Sequence, residues 1–176
     1  MIRYATATDL DAVTALHAEA RATYYRGHLP ESDYAGPEEL ARSRAGWAGA
    51  IERGAVLCAE LDGESDEGGK GGKAGEGGEA GEVAGIAAYG ERDGVMFLSQ
   101  LHVAPAHWRR GVGSALHAAC VEAWRAAGVT TAVLEVFEKN DRAQGFYAAH
   151  GWTPDPDSPR SGDHLVLRLT LAPKAE

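Results

Sequence analysis

The sequence predicts an α+β fold in three layers (helix, sheet, helix), with a mixed, mostly antiparallel sheet flanked by helices. Apolar, β-branched runs of strand length alternate with segments whose apolar residues recur at helical spacing. Three consecutive strands favour antiparallel pairing, and one strand–helix–strand unit has the form of a parallel crossover. The 176 residues, 44% of them hydrophobic, are predicted to form a single domain over residues 1–176.

The N-terminal part is predicted to form one strand and two helices. The strand is IRYAT, and the first helix is capped by Thr8 or Asp9 and ends near Tyr25. The following segment, RGHLPESDYAGPEEL, contains two prolines and two glycines and is predicted to be irregular. A second helix opens at Pro37 and ends at Gly54.

The segment at 62–82, DGESDEGGKGGKAGEGGEAGE, is predicted to be a flexible, solvated loop. It holds nine glycines, seven acids and two lysines, and it lacks aromatic and β-branched residues. Such a composition cannot bury enough apolar surface to offset its ordering entropy. The strand-like runs AVLCAEL (55–61) and VAGIAAYG (83–90) flank it and predict a hairpin with a lengthened tip. Since the segment carries −5 of the net charge of −9, the acidity says little about the fold.

The C-terminal half is predicted to alternate strands and helices. A central strand at 94–105 is followed by a helix at 112–127, with Gly128 at its C-terminal end. Apolar residues recur every four positions along this helix and predict a stripe that faces the core: Val112, Leu116, Cys120 and Trp124. Next come a strand at 130–137, a short helix capped by Asn140 or Asp141 and closed by Gly151, a short strand near Trp152 and a last strand at 164–171.

The stretch HWRRGVGSAL joins the central strand to the long helix and contains two glycines spaced G-x-G. A dinucleotide-binding fingerprint would need a third glycine where Leu116 stands, and a P-loop would need a lysine that is missing. A plain helix start explains Gly111. Gly113 lies inside the first turn, where glycine costs about 1 kcal/mol relative to alanine. Close approach of a ligand to the backbone would justify that cost.

The same stretch has the properties of an anion site. A helix start offers unpaired N–H groups and about half a positive charge. The backbone amides of residues 109–114 can wrap a pyrophosphate, and the Arg110 side chain can add charge-assisted hydrogen bonds.

Three segments together resemble the GNAT superfamily of N-acetyltransferases, which bind acetyl-CoA. LHVAPAHWRRGVGSAL matches the signature [QR]-x-x-G-x-[GA] in order and spacing, with Trp108 where glutamine or arginine is usual. LEVFEKNDRAQGFYAAHGW is similar to L-x-V-x-x-x-N-x-x-A-x-x-F-Y-x-x-x-G-F, with Trp152 in place of the final phenylalanine. IRYATATDLDAV is similar to the family's start, so the resemblance covers nearly the whole chain and implies a GNAT-like sheet.

The resemblance implies direct transfer of an acetyl group from acetyl-CoA, as co-substrate, to a primary amine of a small molecule or a protein. Tyr147 would face the CoA sulfur, where a phenol of pKa about 10 can protonate the leaving thiolate. Asn140 would bind the pantetheine arm or cap a helix, and a backbone N–H near Leu101 or Val103 would stabilise the oxyanion. The implied cofactor-binding residues are Leu101, His102, Val103, Arg109, Arg110, Gly111, Val112, Gly113, Ser114, Asn140, Ala143, Phe146 and Tyr147.

The resemblance implies a general base early on the central strand, but this part of the chain holds no carboxylate or histidine. The candidates are Glu91, His102 and Glu135. His102 alternates with Leu101 and Val103 and therefore faces away from them, as a base or as a core histidine. The residues expected to line the acceptor pocket are Tyr24, Tyr25, His28, Tyr34 and Glu135, and those expected to be exposed or lightly packed are His107, His117 and His150.

Several classes of protein are disfavoured. There is no apolar run of about 20 residues and no secretory signal, so a membrane protein is not expected. Cys58 and Cys120 lie in apolar surroundings, which favours a reducing cytoplasm, and no spacing indicates a metal site. No surplus of basic charge points to nucleic acid. The resemblance leaves a homodimer open, since many relatives pair.

Two alternatives to an active enzyme stay open. The missing base is compatible with a catalytically silent CoA-binding sensor or interaction domain of the same fold. A nucleotide-binding module is the third hypothesis, although Leu116 and the absent lysine disfavour it.

Overall fold

The structure, a computed structural model, describes residues 1–61 and 81–172. Most of the segment predicted as a loop at 62–82 lies outside the described residues, and Glu82 belongs to a strand instead. The elements are β1 (Ile2–Tyr4), α1 (Leu10–Tyr25), α2 (Glu31–Ala35), α3 (Pro37–Glu52), β2 (Val56–Leu61), β3 (Glu82–Arg92), β4 (Val95–Val103), α4 (Val112–Ala126), β5 (Thr131–Phe137), α5 (Asp141–Ala149), β6 (Thr153–Pro154), β7 (Arg160–Ser161) and β8 (His164–Thr170), with 3₁₀ turns at Ala7–Asp9 and Pro105–His107.

The strands form one sheet in the order β1-β2-β3-β4-β5-β8-β6, with β7 paired to β8. The only parallel pair among the described strands is β4 with β5, the two strands that α4 connects. All other described pairs are antiparallel. The predicted mixed, mostly antiparallel sheet with one crossover is therefore confirmed.

Helices cover both faces of the sheet and give the predicted three layers. On one face, α1 and α3 close a core that contains Val13, Trp47 and Ile86. On the other face, α4 and α5 close a second core around Trp124 and Tyr147. The stripe predicted for α4 is confirmed, since all four of its residues are buried.

Gly85 of β3 allows α4 to lie directly on the sheet. A Cβ atom at this position would lie 2.8 Å from Leu116 Cδ1 and 2.8 Å from Val112 Cγ1. Contacts that short do not occur between carbon atoms in proteins, so the close approach of this helix requires glycine. The start of α4 is thereby held against the sheet, next to the end of β4.

A β-bulge at Ser99 of β4 shapes the centre of the sheet. Two consecutive residues of β3 pair with Leu98 and Gln100, so Ser99 is the extra residue. The parallel pairing of β4 with β5 covers three residues of each strand and ends at Leu98. Because a bulge bends its strand and increases the local twist, β4 diverges from β5 beyond this point. The two strands form a V that opens toward Val103.

Local features differ from the sequence prediction at three places. The segment predicted to be irregular contains α2, and β7 was not predicted. Since such a short helix is marginal alone, packing of the buried Tyr34 supplies the stability that its sequence lacks. The chain enters α1 through a 3₁₀ turn, and the Asp9 carboxylate accepts hydrogen bonds from the Thr6 N–H (2.7 Å) and hydroxyl (3.0 Å) instead of capping α1.

An ion cluster ties β1 to α1 and β2. The Arg3 guanidinium donates two hydrogen bonds to the Asp9 carboxylate, at 2.8 and 2.9 Å, and a third to Glu60 at 2.9 Å. Asp9 is buried, and its hydrogen bonds to Arg3 hold the pKa of its carboxyl well below the ordinary value. Folding therefore favours the ionised form of Asp9.

Replacing Gly85 by alanine should lower the free energy of unfolding by about 1–3 kcal/mol, because the new methyl group overlaps α4. Urea denaturation measures the change. Gly90→Ala is the matched control on the same strand, since a Cβ there meets nothing within 4 Å. Equal effects of the two substitutions would contradict the role given to Gly85.

Asp9→Asn should lower the free energy of unfolding by about 2 kcal/mol at neutral pH, because it removes a charge-assisted pair. The carboxyl pKa is lower in the folded state, so its contribution is complete above about pH 4 and is lost as the pH falls further. The wild type and the variant should therefore converge in acid, which thermal melting across pH would measure. Asp11→Asn, which alters an exposed pair with Arg44, serves as the control; a gap that persists in acid contradicts the prediction.

Candidate functional site

The V between β4 and β5 contains a cavity of about 390 Å³. It runs from the turn before α4 to the aromatic side chains at the end of α1. Most residues predicted from the sequence to form a site line this cavity: Tyr24, Tyr25, Leu101, His102, Val103, Arg109, Gly111, Val112, Gly113, Ser114, Glu135, Asn140, Ala143, Phe146 and Tyr147.

Four predicted site residues do not line it. Glu91 lies on β3 opposite Met96, at the end of the hairpin away from the opening of the V. Arg110 is exposed in the turn before α4. His28 and Tyr34 lie behind the wall, where their rings contact Phe137 and Tyr25 at centroid distances of 5.9 Å.

The backbone of β4 presents polar groups to the gap. The Ala104 N–H donates to Ala84 of β3, and in an antiparallel pair such bonded positions recur every second residue. The amides of Leu101 and Val103 therefore point away from β3 and toward the diverging β5. These two N–H groups have lost their neighbouring strand and are available to a bound molecule.

The turn before α4 has a backbone suited to anions. Gly111 is the N-cap of α4, with a φ of 81°, and Arg109 has a φ of 61°. A non-glycine residue in this left-handed region is strained and points to a functional constraint. Successive amides in such a turn converge, and the start of α4 adds its positive end. The backbone geometry of this turn therefore suits an anion.

Gly113 makes close packing contacts within the protein. A Cβ atom here would lie 3.3 Å from Phe146 Cε2 and 3.5 Å from Val103 Cγ2. The glycine lets the first turn of α4 touch both α5 and β4. The structure therefore gives Gly113 a reason that does not depend on a ligand, beside the close approach expected from the sequence.

Trp108 fastens the turn to the end of β4. Its indole N–H donates to the Val103 carbonyl at 2.8 Å. The Arg142 guanidinium of α5 lies 3.3 Å from the centre of the Trp108 ring, in cation–π contact. Trp108 therefore bridges the strand and α5, and it places a cation beside the cavity.

Tyr147 and Asn140 come from α5. Tyr147 is buried, and within the described part of the chain its hydroxyl has no hydrogen-bond partner. Burial raises the pKa of this phenol above its ordinary value, so it stays protonated at neutral pH. The Asn140 side chain accepts from the Ala143 N–H at 3.2 Å and so caps the helix. Its amide also reaches the cavity.

The opposite wall carries imidazoles. His102 lies on the α1 side of the sheet, with its ring 5.0 Å from that of His17 and 6.3 Å from that of Tyr24. Its Nε2 donates to Gln100 Oε1 at 2.6 Å, which leaves Nδ1 as the basic nitrogen. Burial lowers the pKa of His102 well below its ordinary value. Burial also lowers the pKa of His17 to about 4.

Among the described residues that line the cavity, Glu135 is the only carboxylate. It is exposed on β5 and lines the cavity. Its neighbours along the strand, Leu134 and Val136, face the α4 core, so Glu135 shares the α1 side of the sheet with His102.

The expectation that three histidines are exposed or lightly packed is wrong for two of them. His107 and His117 are buried. The Trp152 indole N–H donates to His117 Nε2 at 2.9 Å, and His107 lies beside Glu82 at the start of β3. Tertiary contacts with residues distant in sequence account for both positions.

Sequence reasoning missed several residues that the fold brings to the site, among them His17, Gln100 and Arg142. His17 follows Val13 at helical spacing, so it could have been placed on the inner face of α1. Gln100 acquires its position from the bulge at Ser99, which no local pattern indicates. The local sequence does not distinguish Arg142 from an ordinary surface residue, because its contact with Trp108 forms only in the folded structure.

Within residues 1–61 and 81–172, no helix has the length and apolar character needed to cross a bilayer. The same residues contain no group of three or more His, Cys, Asp or Glu side chains placed to hold a metal ion.

This chain was compared with models of protein families and with solved structures. The family model described as Acetyltransferase (GNAT) family matches residues 14–152. PaiA N-acetyltransferase from Thermoplasma acidophilum, solved in complex with coenzyme A, has a TM-score of 0.78 at 16% identity, covering 97% of this chain and 98% of that one. Ribosomal-protein-S18-alanine N-acetyltransferase from Escherichia coli has a TM-score of 0.65 at 18% identity, covering 100% and 96%.

A third similar structure, a GNAT-family acetyltransferase from Staphylococcus aureus, has a TM-score of 0.69 at 12% identity, covering 98% of this chain and 99% of that one. At such identities the likeness shows the fold. A comparison with curated proteins found no match.

Trp108→Phe should lower the free energy of unfolding by about 1 kcal/mol, because the Val103 carbonyl loses its donor while a ring remains under Arg142. Urea denaturation measures the difference. Tyr4→Phe is the control, since it removes only an exposed hydroxyl contact with Tyr89. A loss for Trp108→Phe no larger than for the control would show that the indole N–H does not hold the turn.

Proposed function

The chain belongs to the Acetyltransferase (GNAT) family, and we propose that it transfers an acetyl group from acetyl-CoA to a primary amine in a ternary complex. The observation that carries the proposal is the V between β4 and β5. Its mouth has an anion-binding turn, and its walls carry free backbone groups and a buried tyrosine. A donor with a pyrophosphate, an amide-bearing arm and a thioester matches these features in order.

The chain's own residues provide the donor site. The amides around Gly111 and the start of α4 would bind the pyrophosphate, with Arg109 adding charge. The outward-pointing amides of β4 would pair with the pantetheine arm as a neighbouring strand would. The solved Thermoplasma acidophilum protein of this fold is a coenzyme A complex, which supports this assignment. The thioester supplies an activated acetyl group.

The acceptor must approach from the α1 side, where His102 and Glu135 face the gap. An alkyl amine is mostly protonated at neutral pH and must lose a proton before it attacks. His102 is neutral there, and Nδ1 can accept the proton, although its lowered pKa makes it a weak base. Glu135 is exposed and lines the cavity, so its carboxylate can receive the proton directly or through water.

Two groups would serve the reacting carbonyl and the leaving sulfur. An outward-pointing amide of Leu101 or Val103 can donate to the oxyanion as the amine adds. Collapse of the tetrahedral species breaks the carbon–sulfur bond, and Tyr147 can then give its proton to the thiolate, while the second proton that leaves the attacking nitrogen can restore the phenol. Burial raises the pKa of the phenol, so the phenol is protonated before the reaction, although the same shift makes it a weaker acid toward the thiolate.

The second candidate is a CoA-binding sensor without catalytic activity. It is favoured by the weak basicity of His102 and by the apolar start of β4. Both candidates take a small molecule or a protein as partner rather than nucleic acid. The two buried, free cysteines suit a reducing compartment, so we place the protein in the cytoplasm.

Tyr147→Phe should reduce kcat for acetyl transfer by about 100-fold, because the thiolate loses its proton donor. Free-thiol detection with a panel of primary amines measures turnover, and calorimetry with acetyl-CoA measures binding. The dissociation constant should change little. Tyr4→Phe, far from the cavity on β1, controls for general effects of losing a hydroxyl.

The outcomes separate the two candidates. Acetyl-CoA binding without thiol release from any amine would support the silent sensor. No binding at millimolar acetyl-CoA would reject both. Full activity of Tyr147→Phe would remove the tyrosine from the mechanism.

A further inference from the structure

A second cavity, of about 450 Å³, adjoins the proposed acceptor side of the site. It lies between α1, α3 and the sheet. Tyr25, Ser99 and Gln100 line both this cavity and the one in the V. Since the bulge places Ser99 and Gln100 at the wall between them, the second cavity lies beside the side from which the amine would approach.

The charged residues lining this cavity are mostly cationic. Arg21 comes from α1, Arg42 and Arg53 come from α3, and Glu39 is the only carboxylate in the lining. His17, the remaining titratable imidazole there, is neutral at pH 7 because burial lowers its pKa to about 4. Three guanidinium groups and one carboxylate leave a surplus of two positive charges, in a chain whose net charge is −9.

Part of this charge is compensated within the protein. Glu39 accepts from Arg21 at 2.7 Å and from Arg42 at 2.5 Å. The Arg21–Glu39 pair is mostly buried and bridges α1 to α3. Because Glu39 carries one negative charge, it balances only one of the two guanidinium charges.

Arg53 has no carboxylate partner among the described residues. It follows the last residue of α3, and its guanidinium folds back along the helix, since a Cβ on Gly49 would lie 3.1 Å from Arg53 Nη1. Gly46 and Gly49 lie on the same helical face between Arg42 and Arg53. These glycines clear the space that the guanidinium and a ligand would share.

We propose that the acceptor amine also carries an anionic group, a carboxylate or a phosphate, which binds the arginines of the second cavity. The amine would lie at Ser99 and Gln100, and the anion would lie toward α3, with Arg53 as its principal partner. Guanidinium groups bind both anions through paired hydrogen bonds. This inference rests on the proposed acetyl transfer and narrows its substrate class.

The test compares ω-amino carboxylates of increasing length with their carboxamides, and ω-aminoalkyl phosphates with the matching amino alcohols. Free-thiol release with saturating acetyl-CoA gives kcat/KM for each. The best anionic acceptor should exceed its neutral partner by about tenfold or more, which corresponds to about 1.4 kcal/mol. The two arms show whether a carboxylate or a phosphate is preferred.

Arg53→Gln should reduce the anionic preference about tenfold, and Arg53→Lys should retain part of it because the charge remains. Arg44→Gln is the matched control on α3, since Arg44 pairs with Asp11 and does not line the cavity. The preference should be unchanged in that variant.

The inference is overturned if the neutral acceptors equal the anionic ones throughout the series, or if Arg53→Gln and Arg44→Gln behave alike. Calorimetric binding of the same acceptors to the CoA-saturated protein keeps the test independent of turnover. Binding that prefers the anionic members without thiol release would reject acetyl transfer and retain the anion site. Absence of that preference in binding and in turnover would reject the anion site alone.

Discussion

The bulge at Ser99 is the feature on which the rest of the site depends. One extra residue in β4 ends the parallel pairing at Leu98 and bends the strand away from β5. If β4 continued to pair with β5 beyond Leu98, the N–H groups of Leu101 and Val103 would be bonded to β5, and no gap would open between the two strands. The same extra residue places Gln100 and His102 on the α1 side of the sheet, while Leu101 and Val103 face the core on the α4 side. A single local irregularity thus creates both the opening and its two chemically different walls.

The wall on the α4 side is built to be rigid. Gly85 lets α4 rest on β3, Gly113 lets its first turn touch α5, and Trp108 joins the turn to the end of β4. The strained backbone of Arg109 is held in place by these contacts, because strain persists only where the surroundings determine the conformation. A turn fixed in this way presents its amides to an anion without first having to become ordered.

The α1 side is assembled from side chains that are far apart in sequence. His17, Tyr24 and Tyr25 come from one helix, Arg42 and Arg53 belong to α3 and its end, and the sheet contributes Gln100 and His102. Burial keeps the imidazoles neutral, whereas the guanidiniums stay charged, so the positive charge on this side of the sheet comes from the arginines. The acidic net charge of the chain gives no hint of this local reversal, because much of it resides in the segment at 62–82.

The sequence alone determined the order of the helices and strands other than α2 and β7, the single parallel crossover, the buried stripe of α4 and most of the residues that line the cavity in the V. Local periodicity, capping and glycine spacing carry this information because they act between residues close in the chain. The tertiary structure alone decided the bulge, α2, the packing role of Gly113, the burial of His107 and His117, and the pairing of Trp108 with Arg142. It also decided that Glu91 and Arg110 lie outside the cavity and that a cationic cavity adjoins it. Each of these depends on contacts between distant segments, whose geometry and burial no local pattern records.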